Sequence, residues 1–202
     1  MSKTNTGILG GSFDPFHYGH LSIVEAALEE NYLDKVILMP AWVSPFKIGR
    51  HMAPEKDRLA MLRQVAEEYD DLEVSTLEID EAKVSYTYKT LSLLQETRPN
   101  ERLWFIMGAD SLFDLKDWYK GQELLEHFSF MVAPRPGYDK EKLDQVIEGY
   151  KEKYGTDIRI LHNDQFNISS TKIKDAIREG RSIEKLVPPV VERYIHEHGL
   201  YL

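Results

Sequence analysis

The chain has no cysteine, which excludes disulfides and thiolate metal sites. That fits a reducing compartment, so a cytoplasmic location is the expectation. It has no run of about 18 apolar residues, the length a membrane-spanning helix needs. The opening residues, Met1 to Thr6, carry no apolar secretory stretch and lead directly into a strand-like segment. A basic surplus is also missing, since 34 acidic against 25 basic side chains leave a net charge of −9. General nucleic-acid binding needs a basic face, so it is excluded as a principal role. An acidic chain that binds an anion must gather its cations locally, which draws attention to Lys and Arg beside special turns. With no repeat, low-complexity segment or clear boundary, residues 1–202 read as one domain, large enough to bury a sizeable core.

What is present is an alternation of apolar strands and amphipathic helices. Ile8-Leu9, then residues 35–40, 72–75, 102–107, 129–133 and 158–161 read as strands. Between them, residues 17–33, 54–69, 85–95, 110–118 and 139–154 read as helices, with further helices after residues 169 and 188. This alternation predicts a three-layer α/β/α fold of Rossmann-like type around a mainly parallel sheet. Such a sheet binds ligands at the carboxyl ends of its strands.

The candidate binding residues fall at such strand ends or at helix starts. Gly10, Gly11 and Ser12 follow the first strand and are expected to make a tight turn that lets bare backbone approach a ligand. Phe13, Asp14 and Pro15 lead on to His17 and His20, three apart in the first turn of a helix. A helix N-terminus with two imidazoles suits phosphate. As a zinc pair these histidines lack partners, for no carboxylate stands nearby at a ligand spacing. Lys47 follows the second strand. Ser85, Tyr86 and Thr87 open a helix with hydroxyls, which in isolation is a cap. Gly108 and Asp110 end the strand at 102–107, where Gly would admit a nucleotide and Asp would take a ribose hydroxyl or cap the next helix. Arg135, between two prolines at the next strand end, suits a phosphate or ribose. Ile168, Ser169, Ser170 and Thr171 open a later helix that carries Lys174.

Gly10-Gly11-Ser12-Phe13-Asp14-Pro15-Phe16-His17-Tyr18-Gly19-His20 resembles the His-x-Gly-His signature of the Rossmann-like nucleotidyltransferase superfamily. In this fuller form it looks like the nicotinate mononucleotide adenylyltransferases of bacterial NAD synthesis. The resemblance extends over almost the whole chain. It implies that His17, His20 and Lys174 serve catalysis, and that Gly10 to Phe13, Lys47 and Ile168 to Thr171 bind ATP phosphates. It also implies that the Ser85-Tyr86-Thr87 turn offers backbone N–H groups to the pyridine carboxylate and that Trp118 stacks on the pyridine ring, with Gly108, Asp110 and Arg135 beside the mononucleotide. Two positions depart from the pattern, Phe46 where His is frequent and Lys174 where Arg stands. Lys keeps the charge and loses the planar fork.

The implied reaction joins ATP and nicotinate mononucleotide, with Mg²⁺ carried by the triphosphate and no metal ligands from protein side chains. Class I aminoacyl-tRNA synthetases share the signature but need tRNA-binding domains for which this chain lacks both length and charge. The alternatives are another small adenylyl- or cytidylyltransferase, such as a phosphopantetheine adenylyltransferase, and a non-catalytic nucleotide sensor.

Overall fold

The computed structural model describes residues 3–30, 32–49, 51–134, 136–163 and 167–202. Within them six strands form one parallel sheet: β1 (Thr4–Gly11), β2 (Lys35–Pro40), β3 (Leu72–Val74), β4 (Glu101–Gly108), β5 (Ser129–Ala133) and β6 (Ile158–Ile160). Their order is β3-β2-β1-β4-β5-β6. The chain winds outward from β1 to β3, then returns to the middle and winds the other way from β4 to β6. The direction reverses between β1 and β4, the switch point at whose carboxyl ends sheets of this kind place their ligands. The mainly parallel sheet expected from the alternating pattern is thereby observed.

The period of two along each strand divides the core into two layers. Leu9, Val36, Leu38, Trp104, Ile106 and Met131 face one side. There they meet helices α1 (Tyr18–Glu29), α2 (Glu55–Ala66), α8 (Ser170–Arg178) and α9 (Pro189–Glu197) through Val24, Met61, Leu62, Ile173 and Ile195. Ile8, Ile37, Met39, Phe105, Met107 and Phe130 face the other. Against them lie α4 (Thr87–Thr97), α5 (Ala109–Phe113), α6 (Gly121–His127) and α7 (Lys140–Tyr154), through Leu91, Leu112, Leu124 and Leu143. Strands β2, β4 and β5 are buried on both faces, which explains why each reads as an apolar run beyond its first residues, whereas central β1 is apolar only at Ile8 and Leu9. The edge strands β3 and β6 are three residues each and only partly buried.

Several boundaries differ from the sequence expectation. Helix α1 starts at Tyr18 and stops at Glu29 instead of spanning 17–33, and His17 is its N-cap. Leu33 leaves the helix to pack beneath β1, where a Cβ on Gly7 would come within 2.4 Å of it. Residues 110–118 are not one helix: α5 ends at Phe113 and a 3-10 turn, Leu115–Asp117, delivers Trp118. Two short helices, α3 (Leu77–Glu81) and α6, had no counterpart in the sequence reading, because five to seven residues hold too little periodicity to register.

Candidate active site

The expected glycine turn takes a different form. Gly10 and Gly11 are still in β1, paired with Met39 and Pro40 of β2. What requires glycine there is aromatic packing: a Cβ on Gly11 would lie 3.0 Å from the Phe13 ring, and one on Gly10 would lie 3.3 Å from Phe105. The chain turns one step later, at Phe13, whose φ is +47°, and continues through a cis Asp14–Pro15 bond. His17 is extended (φ −152°, ψ 168°) and caps α1. Its carbonyl accepts from the N–H groups of His20 (2.8 Å) and Leu21 (3.1 Å).

The two imidazoles meet, but not on one helix face as expected, because His17 stands just before α1 as its extended N-cap. Their rings stack with centroids 3.7 Å apart and planes 19° from parallel. His20 also lies edge-on to Phe13 (5.0 Å) and stacks on Phe16 (5.4 Å). Both phenylalanines are buried, so the pair sits on a packed aromatic base that limits its orientation.

Cations converge on the same loop. Lys47 Nζ donates to Ser12 Oγ at 3.0 Å, which folds the segment after β2 back over the end of β1. Arg58 of α2 is 2% exposed. Its guanidinium donates to the carbonyls of Ser12 (2.8 Å), Ala41 (2.9 Å) and Ala53 (3.3 Å). Burial pulls its pKa below the ordinary arginine value, with Asp14, Tyr201 and Glu55 acting the other way. It ties together the segments that follow β1 and β2 and the residues that lead into α2.

Lys174 of α8 forms an ion pair with Asp14. The second hydroxyl-rich segment is fastened to the same loop, since Ser170 Oγ donates to the Pro15 carbonyl at 3.4 Å. Ser169 caps α8, its Oγ accepting from the Lys172 N–H at 3.3 Å. Ile168 packs against the core and Thr171 is exposed at the helix start. Two motifs some 150 residues apart in sequence thus form one donor-rich corner.

A second group of expected residues gathers beside it. The Ser85 N–H donates to the Val43 carbonyl at 3.0 Å, and Val43 and Val84 form a parallel bridge. The loop with Lys47 is therefore joined to the start of α4, which Tyr86 caps and Thr87 opens. Trp118 is half-buried, edge-on to Phe105 at 6.3 Å and tilted on Phe46 at 5.8 Å. Tyr119 meets Tyr86 at 4.9 Å. Gly108 caps α5, and Asp110 lies exposed on its first turn. Arg135 lies outside the described residues.

Sequence reasoning missed three residues. Asp14 stood in the motif only as turn punctuation, yet it is 4% exposed and accepts from three donors. Arg58 sits next to buried Leu59, and no periodic signal separates it from the solvated residues of α2. Tyr201 gave no signal. Among the described residues no helix is long and apolar enough to cross a membrane, and no group of three or more His, Asp or Glu is placed to hold a metal ion.

A doubly wound parallel sheet with a His-x-Gly-His corner at its switch point defines a nucleotidyltransferase fold, and the cytidylyltransferase-like family matches residues 8–176. A probable nicotinate-nucleotide adenylyltransferase of Roseiflexus sp. (strain RS-1) is 40% identical over 203 residues, covering 100% of both chains. One of Synechococcus sp. (strain JA-2-3B'a(2-13)) is 39% identical over 100% of this chain and 99% of its own. The solved Plasmodium falciparum nicotinic acid mononucleotide adenylyltransferase, complexed with NaAD, has the same fold. It aligns with a TM-score of 0.80 at 20% identity, covering 98% of this chain and 97% of its own. The chain belongs to the nicotinate-nucleotide adenylyltransferase family.

Proposed function

We propose that the chain transfers the adenylyl group of ATP to nicotinate mononucleotide, releasing nicotinate adenine dinucleotide and pyrophosphate, as a cytoplasmic step of NAD synthesis. The observation that carries this is the union of the stacked His17–His20 pair with Lys47 and with Lys174 of α8 at the switch point, in a chain that matches its relatives end to end.

A phosphate oxygen of the mononucleotide attacks the α-phosphorus of ATP in line with the departing pyrophosphate. The new P–O bond forms as the α–β bridge breaks, and pyrophosphate takes the electron pair. The nucleophile is already anionic, so no general base is needed. What the site must supply is position and charge neutralisation. His17 and His20 donate to the triphosphate, Lys47 and Lys174 balance the charge passed to pyrophosphate, and the N-terminus of α8 adds its N–H groups. ATP enters as its divalent-metal complex, Mg²⁺ in this reading, with the ion held by phosphate oxygens and water.

The test is pyrophosphate release from ATP with nicotinate mononucleotide, nicotinamide mononucleotide and phosphopantetheine as acceptors. Fastest release with a pyridine mononucleotide is the expected result. Release with phosphopantetheine alone would move the chain to another adenylyltransferase, and ATP binding without release would make it a sensor. The Ser85 to Thr87 turn, whose Tyr86 ring meets that of Tyr119, the residue after Trp118, favours the pyridine acceptor.

A further inference from the structure

The Asp14–Lys174 pair has a third member at the far end of the chain. Asp14 Oδ1 accepts from the Tyr201 hydroxyl at 2.8 Å, a contact spanning 187 positions, and from the Ala53 N–H at 3.0 Å. Its Oδ2 takes the Lys174 ammonium. The Tyr201 ring lies under that same ammonium, 5.1 Å from nitrogen to centroid. Tyr201 is itself held in an unusual backbone state, with φ at +68°. Burial and the neighbouring Asp14 carboxylate keep its phenol protonated, so it remains a donor.

These contacts divide the labour on Lys174. An ammonium has three N–H donors, and one is committed to Asp14. The side chain is only 18% exposed, so its head cannot search for a phosphate as a surface lysine would. It stands where Asp14 and the Tyr201 ring leave it. Asp14 in turn lies in the loop between β1 and α1, and its Oδ1 is fixed by two donors from other parts of the chain. If the Tyr201 donor goes, the carboxylate keeps its charge but loses one of the bonds that aims it.

We propose that Tyr201 is a positioning residue of the ATP-phosphate site, fixing the Lys174 ammonium through Asp14. This rests on the reading above, in which Lys174 meets the triphosphate. A planar guanidinium would set its own geometry on a phosphate; a lysine does not, and here the fold supplies the missing orientation from outside.

The experiment is a double-mutant cycle on the full chain, with KM for ATP, KM for the mononucleotide, kcat and thermal midpoint measured for each variant. Tyr201→Phe keeps the ring and deletes the donor. It should raise KM for ATP roughly fivefold to tenfold, less than the full effect of a hydrogen bond to a charged group because Tyr201 acts on Lys174 only through Asp14, while KM for the mononucleotide stays within about twofold. In a Lys174→Ala background the same change should add almost nothing, since both act on one contact. Asp14→Asn gives a second arm if Tyr201→Phe fails to fold, and should show the same selective rise. Lys174→Ala with the parent's KM and kcat overturns the assignment of Lys174 and this proposal with it. A defective Lys174→Ala beside a Tyr201→Phe of normal KM for ATP, or additive effects in the cycle, overturns the proposal alone.

Discussion

The imidazoles of His17 and His20 stack face to face, 3.7 Å apart, with the rings of Phe13 and Phe16 against His20. A ring held by three aromatic neighbours is preorganised: it need not give up rotamer freedom when a phosphate arrives. Removing one such donor typically lowers rate about 100- to 1000-fold. His20→Ala should therefore lose that much kcat, with a far smaller change in KM for the mononucleotide. Steady-state kinetics on a variant whose circular dichroism matches the parent decides it, and near-normal turnover would remove His20 from catalysis.

Lys47 offers a separate handle on ATP, because its exposed neighbourhood separates charge from folding. It is half-buried, between exposed Phe46 and Ile48, and its ammonium meets Ser12 Oγ. Lys47→Met keeps much of the apolar stem and deletes the charge. A charge-assisted hydrogen bond contributes about 1.5–3 kcal/mol, so kcat/KM for ATP should fall roughly 10- to 100-fold. The thermal midpoint should move by no more than about 2 °C, as for a surface change of this kind. A large loss of midpoint with normal kinetics would make Lys47 a structural clip between the two loops.

Glu78 of α3 is a buried acid beneath the start of α4. Its Oε1 accepts from Thr90 Oγ1 at 2.5 Å. Burial raises its pKa above the usual carboxylate range, the Thr90 and Ser85 hydroxyls draw it back, and Glu81 raises it further. A carboxyl whose pKa rises on folding stabilises fully below its unfolded pKa and loses that contribution as pH climbs through its folded value. Glu78→Gln preserves an acceptor for Thr90 without the ionisable proton. It should melt above the parent at about pH 8, and the gap should close on approach to about pH 4. Thermal melts across that range check it; a gap independent of pH would mean that folding leaves this pKa unchanged.

Much of this was legible in the chain itself, for reasons particular residues make plain. After a charged first residue, the runs at 35–40 and 102–107 are apolar because both faces of β2 and β4 are covered, and the buried β5 reads the same way after Ser129. Most candidate site residues that the structure describes lie at a strand end or helix start, where parallel sheets put their ligand crevice, whereas Lys47 and Trp118 end short 3-10 turns and Lys174 lies one turn into α8. The supports were not legible. Arg58 is one polar side chain in an amphipathic helix, and its burial depends on three carbonyls from distant segments. Tyr201 acts across 187 positions, and local pattern carries no trace of such a contact. Even the glycines were read for the wrong cause, conformational freedom instead of the room that the Phe13 and Phe105 rings require.

Acceptor choice supplies the most discriminating prediction. A pyridine ring needs a flat apolar partner, and Trp118 offers one, braced edge-on by Phe105. Phe46 rests tilted on the same indole with centroids 5.8 Å apart. A ring inserted between them would need about 7 Å, two contacts of about 3.5 Å each, so Phe46 must swing aside. Stacking is worth on the order of 1–3 kcal/mol by analogy with base–aromatic contacts, but it does not distinguish a carboxylate from a carboxamide. That falls to the first turn of α4, whose leading N–H groups have no partner within the helix. They suit a group that only accepts; a carboxamide would bring donors to donors or leave one unpaired, about 1–3 kcal/mol worse. Nicotinate mononucleotide should therefore be preferred at least roughly tenfold in kcat/KM. Thr87→Pro isolates this effect. Thr87 is the first residue of α4, where proline is tolerated, and Tyr86 before it is extended at φ −108° and ψ 120°, as a residue preceding proline should be. The substitution deletes one N–H and leaves the helix standing. It should lower kcat/KM for nicotinate mononucleotide while barely touching the nicotinamide form, narrowing the ratio toward one. Trp118→Ala should weaken both acceptors alike and leave the ratio where it was. A ratio that survives Thr87→Pro unchanged would take this turn out of acceptor recognition.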